Sequence, residues 1–257
     1  MDDSQLNYER SVEMFDSVLG DCLDLSQRCG NIPSPTNKHH WGSVLFTTLC
    51  TRSISLGTLA PGTSWSNELE ERWDYASMGI LTRSLIETRV AFYYFAIEDC
   101  GEVEWNARWN VLNVHDCVTR LAILETVGNP ETSQIWQDAK RDLESRLNSN
   151  SFFLALPSGV QRRIFQGKVT YLEPMEDIAA RAGVSIADFQ WYWKFLSSHV
   201  HSFPLSYYSI SQDSGRGRGI HSDEEEGYAS LFLSTAASML AKSRDEMQVL
   251  FAGYARC

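Results

Sequence analysis

Apolar residues recur at intervals of three and four along most of this chain, and almost nowhere at two. That period belongs to helices, which return a side chain to the same face about every 3.6 residues. It predicts helices at about 5–28, 37–58, 66–98, 102–127, 130–148, 175–182, 185–201 and 223–253. Breakers stand between them at Pro33, Pro35, Pro61, Gly62 and Gly128-Asn129-Pro130. Carboxylates suited to the positive end of a helix follow Ser66 (Glu68, Glu70, Glu71) and run from Asp223 to Glu226. Residues 150–174 read as a loop with one short helix. Residues 212–222, containing Gly215-Arg216-Gly217-Arg218-Gly219, read as a flexible loop, and a short strand is expected near Tyr207-Tyr208-Ser209-Ile210. The fold expected is all-α, a single domain over residues 1–257. It is a bundle of about seven to eight helices around a buried central one at about 66–98.

Composition supports such a core and restricts its partners. The chain has 257 residues, 43% of them hydrophobic, with eight Trp. Against 22 Lys and Arg stand 33 Asp and Glu, for a net charge of −11. A surface of that sign repels nucleic acid and anionic lipid at long range, so no broad nucleic-acid binding is expected. The six cysteines show no metal-binding spacing and read as reduced core thiols of a cytoplasmic protein. The acidic start Met1-Asp2-Asp3-Ser4 lacks the pattern of a signal peptide. No uncharged apolar run reaches ~18 residues, so no membrane span is expected.

The helix at about 66–98 carries the first candidate site residues. On a helical wheel Ala76, Ile80, Val90 and Tyr94 share one stripe, and Leu81, Leu85, Phe92 and Phe95 share the opposite one. Arg83 and Glu87 fall on the first stripe, one turn apart. A charged pair on a core-facing stripe needs partners, and it either fixes packing or presents a guanidinium to an anion. The helix at about 185–201 carries the second group. Tyr192, Phe195, Leu196 and His199 share a face, with His201 at the helix end and Pro204 beyond it. His199 and His201 diverge by about 200° while the helix lasts, so the H-x-H pair could hold one metal ion only where the helix has ended; no metal and no cofactor is expected. His115 shares a third stripe with Arg108 and Val111 and is expected to join Arg83 and His199 if the fold brings them together. The chain lacks G-x-x-x-x-G-K, G-x-S-x-G, H-E-x-x-H and G-x-G-x-x-G, which lowers the standing of the enzyme classes that use them.

Two segments together resemble a family. Leu81-Thr82-Arg83-Ser84-Leu85-Ile86-Glu87 looks like the R-x-x-x-E helix of a large bacterial, all-helical domain-of-unknown-function family. Trp191-Tyr192-Trp193-Lys194-Phe195-Leu196-Ser197-Ser198-His199-Val200-His201-Ser202 resembles its second hallmark, an aromatic followed by L-S-x-x-V/H-H. The likeness covers residues 60–210 of the sequence. Some members look distantly like HEPN domains, helical bundles that often dimerise and often cleave RNA without metal. The HEPN nuclease motif places Arg a few residues before His, whereas here Lys194 precedes His199 and His201. Lysine keeps the charge but lacks the planar fork.

The reading these observations support is a cluster of Arg83, Glu87, His199 and His201, with Tyr192, His115 and Lys194 as ligand contacts. It binds a small or anionic ligand or organises the core. The resemblance implies a setting in bacterial stress or phage defence. One alternative is a HEPN-like, metal-independent RNase with His199 or His201 as general acid/base and Arg83 or Lys194 stabilising the phosphorane. The other is a non-enzymatic homodimeric interaction module, signalled by an exposed apolar patch on the first or last helix.

Overall fold

The computed structural model describes residues 3–67, 72–128, 130–207 and 221–254, the first four of them by backbone only. It contains α1 (Asp3–Gly30), α2 (Asn37–Thr58), α3 (Tyr75–Phe92) with a π-helical turn at Tyr93–Ile97, α4 (Glu102–Val127), α5 (Pro130–Asn148) and α6 (Ser151–Leu154). There follow α7 (Ser158–Phe165), α8 (Met175–Arg181), α9 (Ile186–Val200) and α10 (Asp223–Phe251). Among the described residues the fold is all-α, with no strand and with eleven helical elements where about seven to eight were expected. Part of the excess lies at 150–174, which forms two short helices, α6 and α7, in place of one. Tyr207 is helical, while the rest of the expected strand and residues 212–220 of the expected loop lie outside the described residues.

The helix expected from about residue 66 begins instead at Tyr75. Residues 61–66 form turns, with Ser66 N–H bonded to Thr63 O and the Ser66 hydroxyl donating to the same carbonyl. The N-cap is Asp74, whose carboxylate accepts from Ser77 N–H at 3.0 Å. Glu68, Glu70 and Glu71 lie outside the described residues.

The chain divides into two compact units, residues 1–97 with 179–257, and residues 98–178. In the first unit α1 lies along α10. Phe15, Leu19, Cys22 and Leu25 form its apolar stripe, all fully buried. The seam also holds a hydroxyl chain, with Ser11 Oγ 2.7 Å from Ser230 Oγ and 2.9 Å from Ser234 Oγ. α3 packs against α2, α9 and α10. Its buried face runs through Tyr75, Met78, Thr82, Leu85, Ile86 and Arg89. Of the expected stripe Val90 and Tyr94 are buried, and Ile80 is exposed at 41%.

In the second unit α4 and α5 form a hairpin closed by α6 and α7. Its core joins Ala107, Val111 and Val114 of α4 to Leu147, Phe153 and Ile164. Arg108 is buried there and paired with Glu98 and Glu104, which neutralises the charge inside the unit. The last turns of α4 stand in solvent, with Ile123 and Val127 exposed, as is Ile135 of α5. Among the described residues no helix is long and apolar enough to cross a membrane.

Candidate functional site

Arg83 is held on four sides. Its Nε donates to Glu87 Oε1 at 3.0 Å, and its Nη1 donates to Trp193 O at 3.3 Å and to the Ser197 hydroxyl. The guanidinium lies over the Trp193 ring, 3.2 Å from its centroid. The pair is not deeply buried as expected, since the Glu87 side chain is 45% exposed. These contacts clamp α3 to α9, and the planar fork that would grip an anion is largely occupied.

His199 sits on the same helix seam but meets different atoms. It is buried, and its Nδ1 lies 3.1 Å from Phe195 O, so that nitrogen carries the proton. Nε2 is buried with no hydrogen-bond partner. Burial pushes the His199 pKa below the ordinary histidine value, and the bond to Phe195 only partly opposes this. The ring packs edge-on to Tyr75 and Phe195 and fills a dent at Gly79, where an added Cβ would meet His199 Cγ and Phe232 Cζ at 3.4 Å. His201 follows α9 and is exposed, as is Lys194. His115 belongs to the second unit, with its Nδ1 2.6 Å from Gly167 O. The residues singled out in the sequence therefore take up separate duties: a clamp, a packed imidazole and two solvated side chains. Among the described residues no group of three or more His, Cys, Asp or Glu could hold a metal ion.

The charged residue at the centre of the first unit is one that periodicity passed over. Arg89 is 2% exposed; its Nη2 donates to Glu246 Oε1 at 2.8 Å and to Ala182 O at 3.2 Å. Its Nη1 and Glu246 Oε2 are buried without partners. Burial draws the Arg89 pKa down, and the Glu246 carboxylate opposes that.

Tyr192 alone among the expected contacts lines a cleft. This cavity of about 450 Å³ is bounded by Ile86 of α3, the Gly183–Ser185 turn, α9 and α10. Phe189, Leu231 and Met239 give it an apolar floor. Ser185, Tyr192, Ser234, Thr235 and Ser238 bring five hydroxyls to it, and Asp188 is the sole charged residue of the lining. The Tyr192 hydroxyl meets Thr235 Oγ1 at 2.7 Å, and Ser185 caps α9 in a reciprocal pair with Asp188. Gly183 shapes the rim: its φ is +89°, and the Lys242 ammonium occupies the place a Cβ would take. A larger groove of about 840 Å³ at the end of the α4–α5 hairpin is walled by solvent-exposed turns and has only Glu125 as a charge. Set against protein-family models, curated proteins and solved structures, the chain matches none. The cleft at Tyr192 combines an apolar floor with converging polar groups, the usual anatomy of a small-molecule site.

Proposed function

We propose that this protein binds a small, neutral, hydroxyl-bearing molecule in the cleft between α3, α9 and α10. The observation that carries the reading is the pairing of five hydroxyls with an apolar floor and no basic side chain in the lining. Each hydroxyl is both donor and acceptor, so a group already bonded to a neighbour can still serve a ligand. The one charge in the lining is the Asp188 carboxylate, and the Lys242 ammonium stands only at the Gly183 rim, so the lining itself favours a neutral ligand over an anion. Arg83 and Glu87 are architecture in this reading, and the clamp they form with Trp193 holds α9 in place.

The test is ligand-observed NMR with monosaccharides, polyols and nucleosides beside matched carboxylates and phosphates. Ser238→Leu places an isobutyl group in the cleft from an exposed helix position, so it closes the site and spares the core. A neutral binder should give signals that Ser238→Leu abolishes, and saturation to about 100 times Kd should raise stability by about 2.7 kcal/mol. Binding confined to the anionic compounds, or unchanged by Ser238→Leu, would defeat the reading.

A further inference from the structure

A second constellation lies at the start of α10, and none of its residues lines the cleft just described. His221 Nε2 is 2.6 Å from Glu226 Oε2. The Glu226 side chain is 7% exposed, and its Oε1 is buried with no hydrogen-bond partner. The His221 side chain is 48% exposed. The carboxylate thus fixes the imidazole with Nε2–H pointing inward, and Nδ1, which has no partner among the described residues, is left as the basic nitrogen. The His221 ring stands edge-on to Trp73, centroids 5.0 Å apart at 73°.

Trp73 in turn walls a cavity of about 420 Å³ with Tyr8, Pro61 and Thr63. The rings of Trp73 and Tyr8 lie 5.1 Å apart, and the Tyr8 hydroxyl is tied to Pro61 O at 2.7 Å. A half-exposed imidazole oriented by a buried carboxylate, in ring contact with the Trp73 wall of a cavity, supplies the oriented base that general-base catalysis uses.

We propose that His221, positioned by Glu226, activates water for the hydrolysis of small aryl esters held against Trp73 and Tyr8. His221 Nδ1 takes a proton from water as the water oxygen bonds to the ester carbonyl carbon. The acyl–oxygen bond then breaks, and the departing phenoxide takes the proton from the imidazolium, giving one acid and one phenol. His221 is the catalytic residue and Glu226 a positioning residue.

The experiment is hydrolysis of p-nitrophenyl acetate by the full chain, compared with His221→Gln, Glu226→Gln and, as an exposed-histidine control, His201→Gln. Hydrolysis by the wild type should run slower in D2O and fall by about 10²-fold in His221→Gln. Glu226→Gln, whose fold is checked by its melting curve, should lower kcat while KM stays put. His201→Gln should match the wild type. No hydrolysis above buffer, equal rates in His221→Gln and wild type, or equal losses in the two histidine variants would each overturn the proposal.

Discussion

At the scale of single residues, Arg89 is a buried charge whose worth to stability can be tested. Replacing it with Met leaves the Glu246 carboxylate partly buried and alone, which should cost about 3–5 kcal/mol in urea denaturation. The double change Arg89→Met with Glu246→Leu removes both charges and should recover most of that loss; a single variant as stable as the wild type would refute the account. His199 gives a pH signature. Its folded pKa lies below the ordinary value of 6.5, so below about pH 6.5 the unfolded chain takes up a proton that the folded chain resists. Stability is therefore fully present above that pH and declines as pH falls through it toward the folded pKa. Melting curves at pH 7.5 and 5.5 should show the decline in the wild type and a smaller one in His199→Phe. The sequence revealed that α3 mixes charge into its core face but pointed to Arg83. The buried face holds Thr82 and Arg89, and a hydropathy pattern places such residues in solvent. The partners of Arg89, Ala182 and Glu246, lie far along the chain and leave no local trace.

At the scale of elements, legibility followed the punctuation. α2, α4 and α5 have the expected bounds because proline, glycine or a polar pair marks their ends. α3 starts later than expected because Ser66 and Asp74 both make acceptable caps; local turn bonds around Thr63 hold Ser66 outside the helix, and Asp74 takes the cap. Caps are also where elements can be tested singly. Asn150 accepts from Phe153 N–H at the start of α6 and donates to Val103 O at the start of α4. Asn150→Ala should therefore destabilise the second unit by about 1 kcal/mol, near the middle of the range for lost N-caps, as read by hydrogen exchange at α4 and α6. An unchanged exchange rate would show that the cap contributes nothing. Exposed apolar side chains occur on the first and last helices, at Met14 and Val249, as well as at Ile123 and Val127 of α4.

At the scale of the molecule, periodicity announced an all-helical chain but not its division into two units. The second unit leaves and returns through Glu98–Gly101 and α8 without a Pro- or Gly-rich linker to betray it. The first unit is built from two stretches separated in sequence, and the pairing of α1 with α10 is a contact that no local window contains. A chain stopped at Ser222 lacks α10 and bares Phe15, Leu19 and Leu25 of α1. It should lose cooperative melting and bind a hydrophobic dye that the full chain excludes; a sharp melt in the shortened chain would show that α10 is dispensable. The same pairing sets a clock on the ribosome. α1 is made before its partner, and at about 5–20 residues per second the interval from residue 30 to residue 223 is roughly 10–40 s. Throughout it the nascent chain carries an unpartnered greasy stripe, so a helper that covers such stripes has its natural moment of engagement before α10 emerges.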